Sequence, residues 1–350
     1  MKSKKTLLAL AVTFAFGSAL LCVSSVQATV VIDTVPIGNA GNADDTEGAG
    51  YGGVDYTYNI GKYEVTAGQY AEFLNAVAAT DTYGLYAAKM NSDSRGCQIT
   101  QNGISGSYTY DFSGRPSGTE ADWVDRPVNY LSWGSAARFS NWLHNGQPTG
   151  AQGLSTTEDG AYFLNGAVTD APLTAVTRES DWTWAIPTED EWYKAAYHKN
   201  DGVTGNYYDY PTSSDSEPAN ELIDPDPGNN ATYHDGAFTI GNPYKRTEAG
   251  EHENSESPYD TFDQGGNSHE WNEAVIAVIG QGDHRGLRGG SYTHPSSWML
   301  ASTSFSFFPT YNNGDWGGFR VVQVPEPASL TLILLGGGVV LLRRRRSVRS

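Results

Sequence analysis

The stretch RGGSYTHPSSWM spans residues 288–299 and places two adjacent glycines before a serine and a tyrosine. Together with the residues that precede it, it makes the segment RGLRGGSY (285–292) a candidate β-strand. Because glycine has no Cβ, Gly289 and Gly290 allow another part of the backbone to approach closely. The stretch therefore predicts a strand that ends in the floor of a site.

Three helices are predicted on the N-terminal side of this strand. Thr66 and Gln69 have the spacing of a capping box before the apolar positions of QYAEFLNAVAA, and Thr188 and Glu191 have the same spacing before WYKAAYH. Between these two segments, WGSAARFSNWLHNG has apolar residues at helical spacing and ends in a glycine. We expect these to be the main helices of the chain.

The rest of the chain is rich in Gly, Tyr, Trp, Asn and Ser, which favours short strands and long loops. Residues 81–125 and 200–260 are predicted to be loop insertions, and no internal repeat is present. Further candidate strands are TVVIDTV from Thr29, YTYNIGKYEV before the first helix and GFRVVQV near the end. Residues 29–323 are expected to form one domain.

The N-terminal residues 1–28 have the pattern of a secretory signal peptide. A basic start is followed by an apolar run from Leu7 to Leu21 and by the small-residue tripeptide Val26-Gln27-Ala28. We therefore expect export and cleavage after Ala28.

The C-terminal residues 324–350 contain Pro-Glu-Pro, a short apolar helix at 330–342 and a cluster of arginines. The apolar stretch is shorter than the roughly 20 residues of an unstrained membrane span. One interpretation is a simple tail anchor, and this helix is the only predicted contact with a membrane. However, the whole segment resembles a PEP-CTERM sorting signal. That resemblance implies anchoring in the inner membrane of a bacterium with two membranes, processing by an exosortase, and delivery to the cell surface or extracellular matrix.

The charge and the cysteine content restrict the classes of function. The formal net charge is −18, and the two terminal segments hold a single acidic residue, so the domain between them is strongly acidic. Nucleic-acid binding is not expected, because it requires a basic face. Cys97 is the only cysteine beyond the signal peptide, so no internal disulfide is available.

Six short segments occur in a fixed order along the chain, and this order is more specific than any one segment. They are YNIGKYEVTAGQYAEFLN, RPVNYLSWGSAARFSNWL, WAIPTEDEWYKAA, GGNSHEW, RGLRGGSY and GGFRVV. In this order they resemble the formylglycine-generating enzyme superfamily, also called the sulfatase-modifying factor domain, over residues 56–323. The resemblance implies an α+β fold that is a variant of the C-type lectin fold, with many loops, short antiparallel sheets and about three main helices.

The resemblance also implies where the family's chemistry would take place. Active members oxidise a sulfatase cysteine with copper that is held by two cysteine thiolates just after the RGGSY-like segment. Those positions fall on His294 and Met299 here, and neither residue is a cysteine. Because Cu(I) favours paired thiolates, we expect neither copper nor iron and assign no catalytic residue. His269, Ser291 and His294 are expected to line a ligand groove.

One alternative keeps an enzymatic function. His269, His284 and His294, together with Glu270, supply the imidazole and carboxylate ligands of a different metal site, which would make the chain a metal-dependent oxidase. No helical spacing links the three histidines, and hydrogen-bonded or surface histidines are common. The leading interpretation is a binding or structural module whose exposed face follows Tyr292, with a polysaccharide or a matrix protein as its partner.

Calcium is the metal that the resemblance implies most directly. The first set of ligands consists of side-chain or carbonyl oxygens of Asp263, Gly266, Ser268 and Glu270. A second set, of less certain register, is Asn230, Gly250 and His252. Oxygen donors suit Ca²⁺, although Asp263 and Glu270 could instead accept hydrogen bonds from turn amides.

Five other residues are expected to have structural roles. Arg320 is expected to make a buried charge-assisted contact between the last strand and the core. Four tryptophans are expected to belong to the core rather than to a ligand site: Trp133, Trp142, Trp192 and Trp271.

Overall fold

The computed structural model describes residues 29–46, 48 and 50–325. The predicted signal peptide and the predicted helix 330–342 lie outside the described residues. The helices are α1 (Ala67–Val77), α2 (Lys89–Ser92), α3 (Ala121–Val124), α4 (Trp133–His144), α5 (Asp170–Ala175) and α6 (Glu189–Tyr197). The strands are β1 (Thr34–Ile37), β2 (Tyr58–Gly61), β3 (Thr100–Asn102), β4 (Thr109–Asp111), β5 (Trp184–Ala185), β6 (His269–Val278), β7 (Gly282–Arg288), β8 (Phe305–Phe307), β9 (Gly317–Gly318) and β10 (Val322–Gln323).

The three longest helices are the three that the sequence predicts. Both capping boxes form at their N-termini: Thr66 accepts a hydrogen bond from the N–H of Gln69, and Thr188 accepts one from the N–H of Glu191. Each of these side chains satisfies an N–H that has no partner within its helix. None of the helices in the described part of the chain has both the length and the apolar composition that a membrane span requires.

Two four-stranded sheets and one hairpin make up the β structure. The sheet orders are β1-β2-β10-β5 and β8-β7-β6-β9, and β3 pairs with β4 inside the predicted insertion 81–125. The pairs are antiparallel as expected, except that β6 and β9 run parallel. A side chain at Gly318 would collide with the carbonyl oxygen of Val128 and with the side chain of Ser268, which favours glycine at this position.

Two strand boundaries differ from the sequence-based prediction. β1 begins at Thr34 rather than near Thr29. β7 ends at Arg288, so RGLRGGSY is a strand only in its first half. Gly289 and Gly290 have φ values of 92° and 68°, and this left-handed backbone ends the strand.

The core is built largely from aromatic side chains. The ring of Phe73 on α1 lies 5.3 Å from that of Phe139 and 5.2 Å from that of Trp142, both on α4, between ring centroids. The four tryptophans that were expected to be structural are fully buried or nearly so: Trp133, Trp142, Trp192 and Trp271. Aromatic packing of this kind covers the irregular backbone of a loop-rich domain.

Candidate functional site

The hairpin of β6 and β7 positions the segment that opens the sequence analysis. Glu270 on β6 pairs with Arg288 on β7, and the chain then turns at the two glycines. A side chain at Gly289 would collide with the carbonyl oxygen of Gln264, so the backbone approaches here as closely as the sequence predicts. The turn carries Ser291 to the base of the following loop.

The loop after the turn forms a stack of flat side chains. The imidazole of His294 lies parallel to the indole of Trp298, with 3.7 Å between ring centroids, and Trp298 stacks at the same distance on Phe305. Nδ1 of His294 lies 2.8 Å from Oγ of Ser291. Burial lowers the pKa of His294 to about 4, so this imidazole is neutral near pH 7.

His269, the first residue of β6, closes the other side of this stack. Its ring centroid lies 5.7 Å from that of His294 and 5.6 Å from that of Trp316. Nε2 of His269 is buried without a hydrogen-bond partner. Burial, together with the neighbouring His294, lowers the pKa of His269 well below its usual value. The structure therefore brings the three predicted groove residues, His269, Ser291 and His294, together.

Met299 and His284 belong to other surroundings. The side chain of Met299 is buried in a cluster with Tyr210, Ala231 and Tyr233. His284 pairs with Ile276, well along β6 from His269. The two positions that correspond to the family cysteines thus lie in different side-chain clusters, and the three histidines of the alternative site do not gather at one point.

Glu270 points into a second, fully buried site. Both of its oxygens accept hydrogen bonds from the Arg320 guanidinium at 2.7 Å, and Oε2 also accepts one from the indole of Trp192 at 2.8 Å. Neither side chain of this ion pair is exposed to solvent. The predicted structural role of Arg320 is confirmed.

Two more carboxyl groups lie close to this pair. Glu64 accepts hydrogen bonds from the N–H of Ser268 and the side chain of Asn267, and Asp263 accepts one from the N–H of Gly250. Burial, and then repulsion from Asp263 and Glu270, raises the pKa of Glu64 well above its usual value. Burial also raises the pKa of Asp263. The site therefore holds three carboxyl groups and one guanidinium.

The chemistry of these donors fits a cation that prefers oxygen. The side-chain oxygen of Asn267 is buried without a partner, and the carboxyl groups outnumber the one positive charge. Within the predicted set, Glu270 already accepts hydrogen bonds from Arg320 and Trp192, and Asp263 accepts one from the N–H of Gly250. A cation would have to share these oxygens. In the described residues, no three His, Cys, Asp or Glu side chains converge as a metal site, but the predicted set does not need three.

The residues of the second predicted calcium site are not joined by any hydrogen bond between described residues. Asn230 donates to Asp226, while its own side-chain oxygen is buried without a partner. Gly250 donates to Asp263, and His252 lies beside Thr232. This second site remains a prediction.

The comparison with protein families identifies the chain. Residues 23–325 match the model of the sulfatase-modifying factor enzyme 1-like domain. The chain belongs to this family. The resemblance inferred from six ordered segments is therefore confirmed, and so is the α+β fold of the sulfatase-modifying factor domain. Residues 323–346 match the PEP-CTERM protein-sorting motif, which indicates membrane-anchored sorting for export and processing by an exosortase.

Three solved structures are similar to this sulfatase-modifying factor domain. CarF shares 19% identity at a TM-score of 0.48, with 85% of this chain and 99% of CarF covered. Treponema denticola variable protein 1 shares 18% identity at a TM-score of 0.47, with the same coverage. PvdO from Pseudomonas aeruginosa shares 14% identity at a TM-score of 0.40, with 84% of this chain and 92% of PvdO covered. No curated protein matches the chain.

The aromatic neighbours of His269 and the buried carboxyl group of Glu64 were not predicted from the sequence. Trp298 and Trp316 lie in the segments that follow Tyr292, but no spacing indicates that they meet His269. Glu64 stands between Tyr63 and Val65 at the end of the Lys-Tyr-Glu-Val segment. An acidic residue inside an apolar segment was the available signal that it is buried.

Proposed function

We propose that this member of the sulfatase-modifying factor family is an exported binding or structural module, displayed at the cell surface or in the extracellular matrix. The observation that carries the proposal is the replacement of the family's thiol pair. His294 lies in an aromatic stack, and Met299 is buried in a separate cluster. Copper chemistry that needs two converging sulfur ligands has no support from these positions.

Calcium is the metal that we propose for this module. Asp263, Glu270 and the carbonyl oxygens of Gly266 and Ser268 would hold it, and Glu64 would add negative charge. The ion would neutralise buried carboxyl groups and fix the loop between Asp263 and Glu270. Such a metal site would stabilise the fold of a chain that has no disulfide framework.

The binding face that we propose consists of the segments after Tyr292, including the edge of the His294–Trp298–Phe305 stack. A polysaccharide or a matrix protein is the proposed partner, because the sorting motif directs the chain towards the outside of the cell. Flat aromatic side chains supply contact area to either kind of partner at a small entropic cost.

Metal analysis of the purified full-length chain tests the proposal. We expect calcium and neither copper nor iron, and we expect no aldehyde when the protein is incubated with copper and a peptide carrying a sulfatase cysteine motif. His294→Cys/Met299→Cys is the matched comparison for copper uptake.

The alternative function is a metal-dependent oxidase, and the unpartnered Nε2 of His269 beside His294 favours it. About one tightly bound copper or iron per chain, lost in His269→Phe, would establish this alternative and exclude the binding module as the main function.

A further inference from the structure

A cavity of about 490 Å³ lies beside the residues that follow β10, and none of the candidate-site residues lines it. Its walls include Tyr56, Arg178, Glu179, Trp182, Glu273 and Val324. Its volume is in the range of small-molecule sites, which combine an apolar lining with a few polar groups.

Among the described residues, Arg178 is the one Lys or Arg that lines the cavity, and its guanidinium is already paired within the protein. Arg178 donates to Glu273 at 2.8 Å, to both oxygens of Glu191 and to the carbonyl of Ile186. Its guanidinium also lies 4.3 Å from the ring centroid of Trp182. Arg178 therefore holds the wall together and is poorly placed to pair with an anionic ligand.

The side chains of the cavity that could pair with a charged ligand are acidic. Tyr162 and Arg178 both donate to Oε1 of Glu273, which leaves Oε2 for a ligand. Glu179 is exposed at the rim. Two carboxyl groups, those of Glu179 and Glu273, line the cavity beside the one guanidinium, in a chain of net charge −18. Burial raises the pKa of Glu273, so the exposed Glu179 carries most of the negative charge. Such a field attracts a cationic group and repels a uronate.

The aromatic side chains of Tyr56 and Trp182 line the cavity. Tyr56 is 46% exposed, and its hydroxyl donates to Glu191 at 2.8 Å, which fixes the orientation of the ring. Trp182 lines the same cavity, with the Arg178 guanidinium over one face of its ring. An ammonium group near the ring of Tyr56 would also gain a cation–π interaction.

We propose that this cavity binds an amino-sugar unit, with the apolar face of the sugar against Tyr56 and Trp182 and its ammonium group beside Glu179 and Glu273. The inference rests on the proposed function in one respect, because it takes a polysaccharide as the partner. It adds a second site, which shares no lining residue with the His294 stack.

Calorimetric titration of the full-length chain in detergent tests the proposal with three probes. These are a glucosamine oligomer, its N-acetylated counterpart and spermidine. We expect the glucosamine oligomer to bind at least about tenfold more tightly than the other two, since acetylation removes the charge and spermidine lacks the ring. Glu179→Gln and Trp182→Ala should each weaken binding by about tenfold, and Glu179→Asp should retain most of it.

The control variant is Asp283→Asn, which changes an exposed acid at the start of β7. Equal binding of the acetylated oligomer or of spermidine, or unchanged binding in Glu179→Gln, would overturn the cavity assignment. A further titration with exopolysaccharide separates the two proposals. If exopolysaccharide still binds to Glu179→Gln and Trp182→Ala but not to Trp298→Ala, the proposed binding function is supported and the cavity inference fails.

Discussion

At the scale of single residues, the ion pair of Glu270 and Arg320 joins β6 to the segment before β10, and neither side chain is exposed. Removing one partner of a fully buried pair leaves the other charged group without compensation, which costs about 3–5 kcal/mol. We expect Arg320→Met to lower the free energy of unfolding in urea by this amount. Lys199→Met, at the exposed pair with Asp215, is the control and should cost less than about 1 kcal/mol. Similar losses of unfolding free energy in both variants would contradict a stabilising role for the buried ion pair.

The stack at His294 predicts a pH dependence. Because burial lowers the pKa of His294 to about 4, the unfolded chain takes up a proton at this side chain before the folded chain does. Its contribution to stability is complete above about pH 6.5 and is lost as the pH falls towards 4. His294→Phe keeps a flat ring on Trp298 and cannot titrate. The difference in unfolding free energy between wild type and variant should therefore shift in favour of the variant over that interval, and a difference independent of pH would refute this.

What the sequence reveals at this scale depends on distance along the chain. Ser291 and His294 are three residues apart, so their contact could be predicted from the loop alone. Glu64 and Ser268 are 204 residues apart, and only the folded sheets bring them together. A contact between residues so far apart in the chain cannot be predicted from one sequence without a known fold.

At the scale of elements, local chemistry predicts helix starts better than strand ends. Thr66 and Thr188 cap their helices through residues three positions away, so the sequence contains the whole signal. The two-residue strand β9 has no such signal, since its partners His269 and Glu270 lie far from it in the sequence.

The turn after β7 can be tested with two glycines. Gly280 and Gly289 both have positive φ, but a side chain at Gly280 meets nothing within 4 Å, whereas one at Gly289 meets the carbonyl of Gln264 and the ring of Trp192. Gly280→Ala should cost only the left-handed backbone strain of roughly 1–2 kcal/mol. Gly289→Ala should cost clearly more in the same denaturation experiment, because the collision adds to the strain. Equal costs would show that the backbone can move apart here.

At the scale of the whole molecule, the domain has to stay folded after export, and its described residues contain no disulfide. Cys97 is buried and free among the described residues, so cross-links do not contribute. Aromatic packing and buried ion pairs supply part of the stability. The three carboxyl groups around Arg320 work against it unless protons or a cation neutralise them.

Calcium should therefore raise the stability of the entire domain. At a free concentration 100 times the dissociation constant, one site adds about 2.7 kcal/mol, which a melting experiment with and without a chelator can measure. Asp263→Asn removes a carboxylate from the proposed site and should abolish most of this response, while the exposed Asp283→Asn should retain it. A wild type that melts identically with calcium and with chelator would instead mean that Glu64 and Asp263 are neutralised by protons. In that case Arg320 would supply the positive charge beside Glu270 without a metal ion.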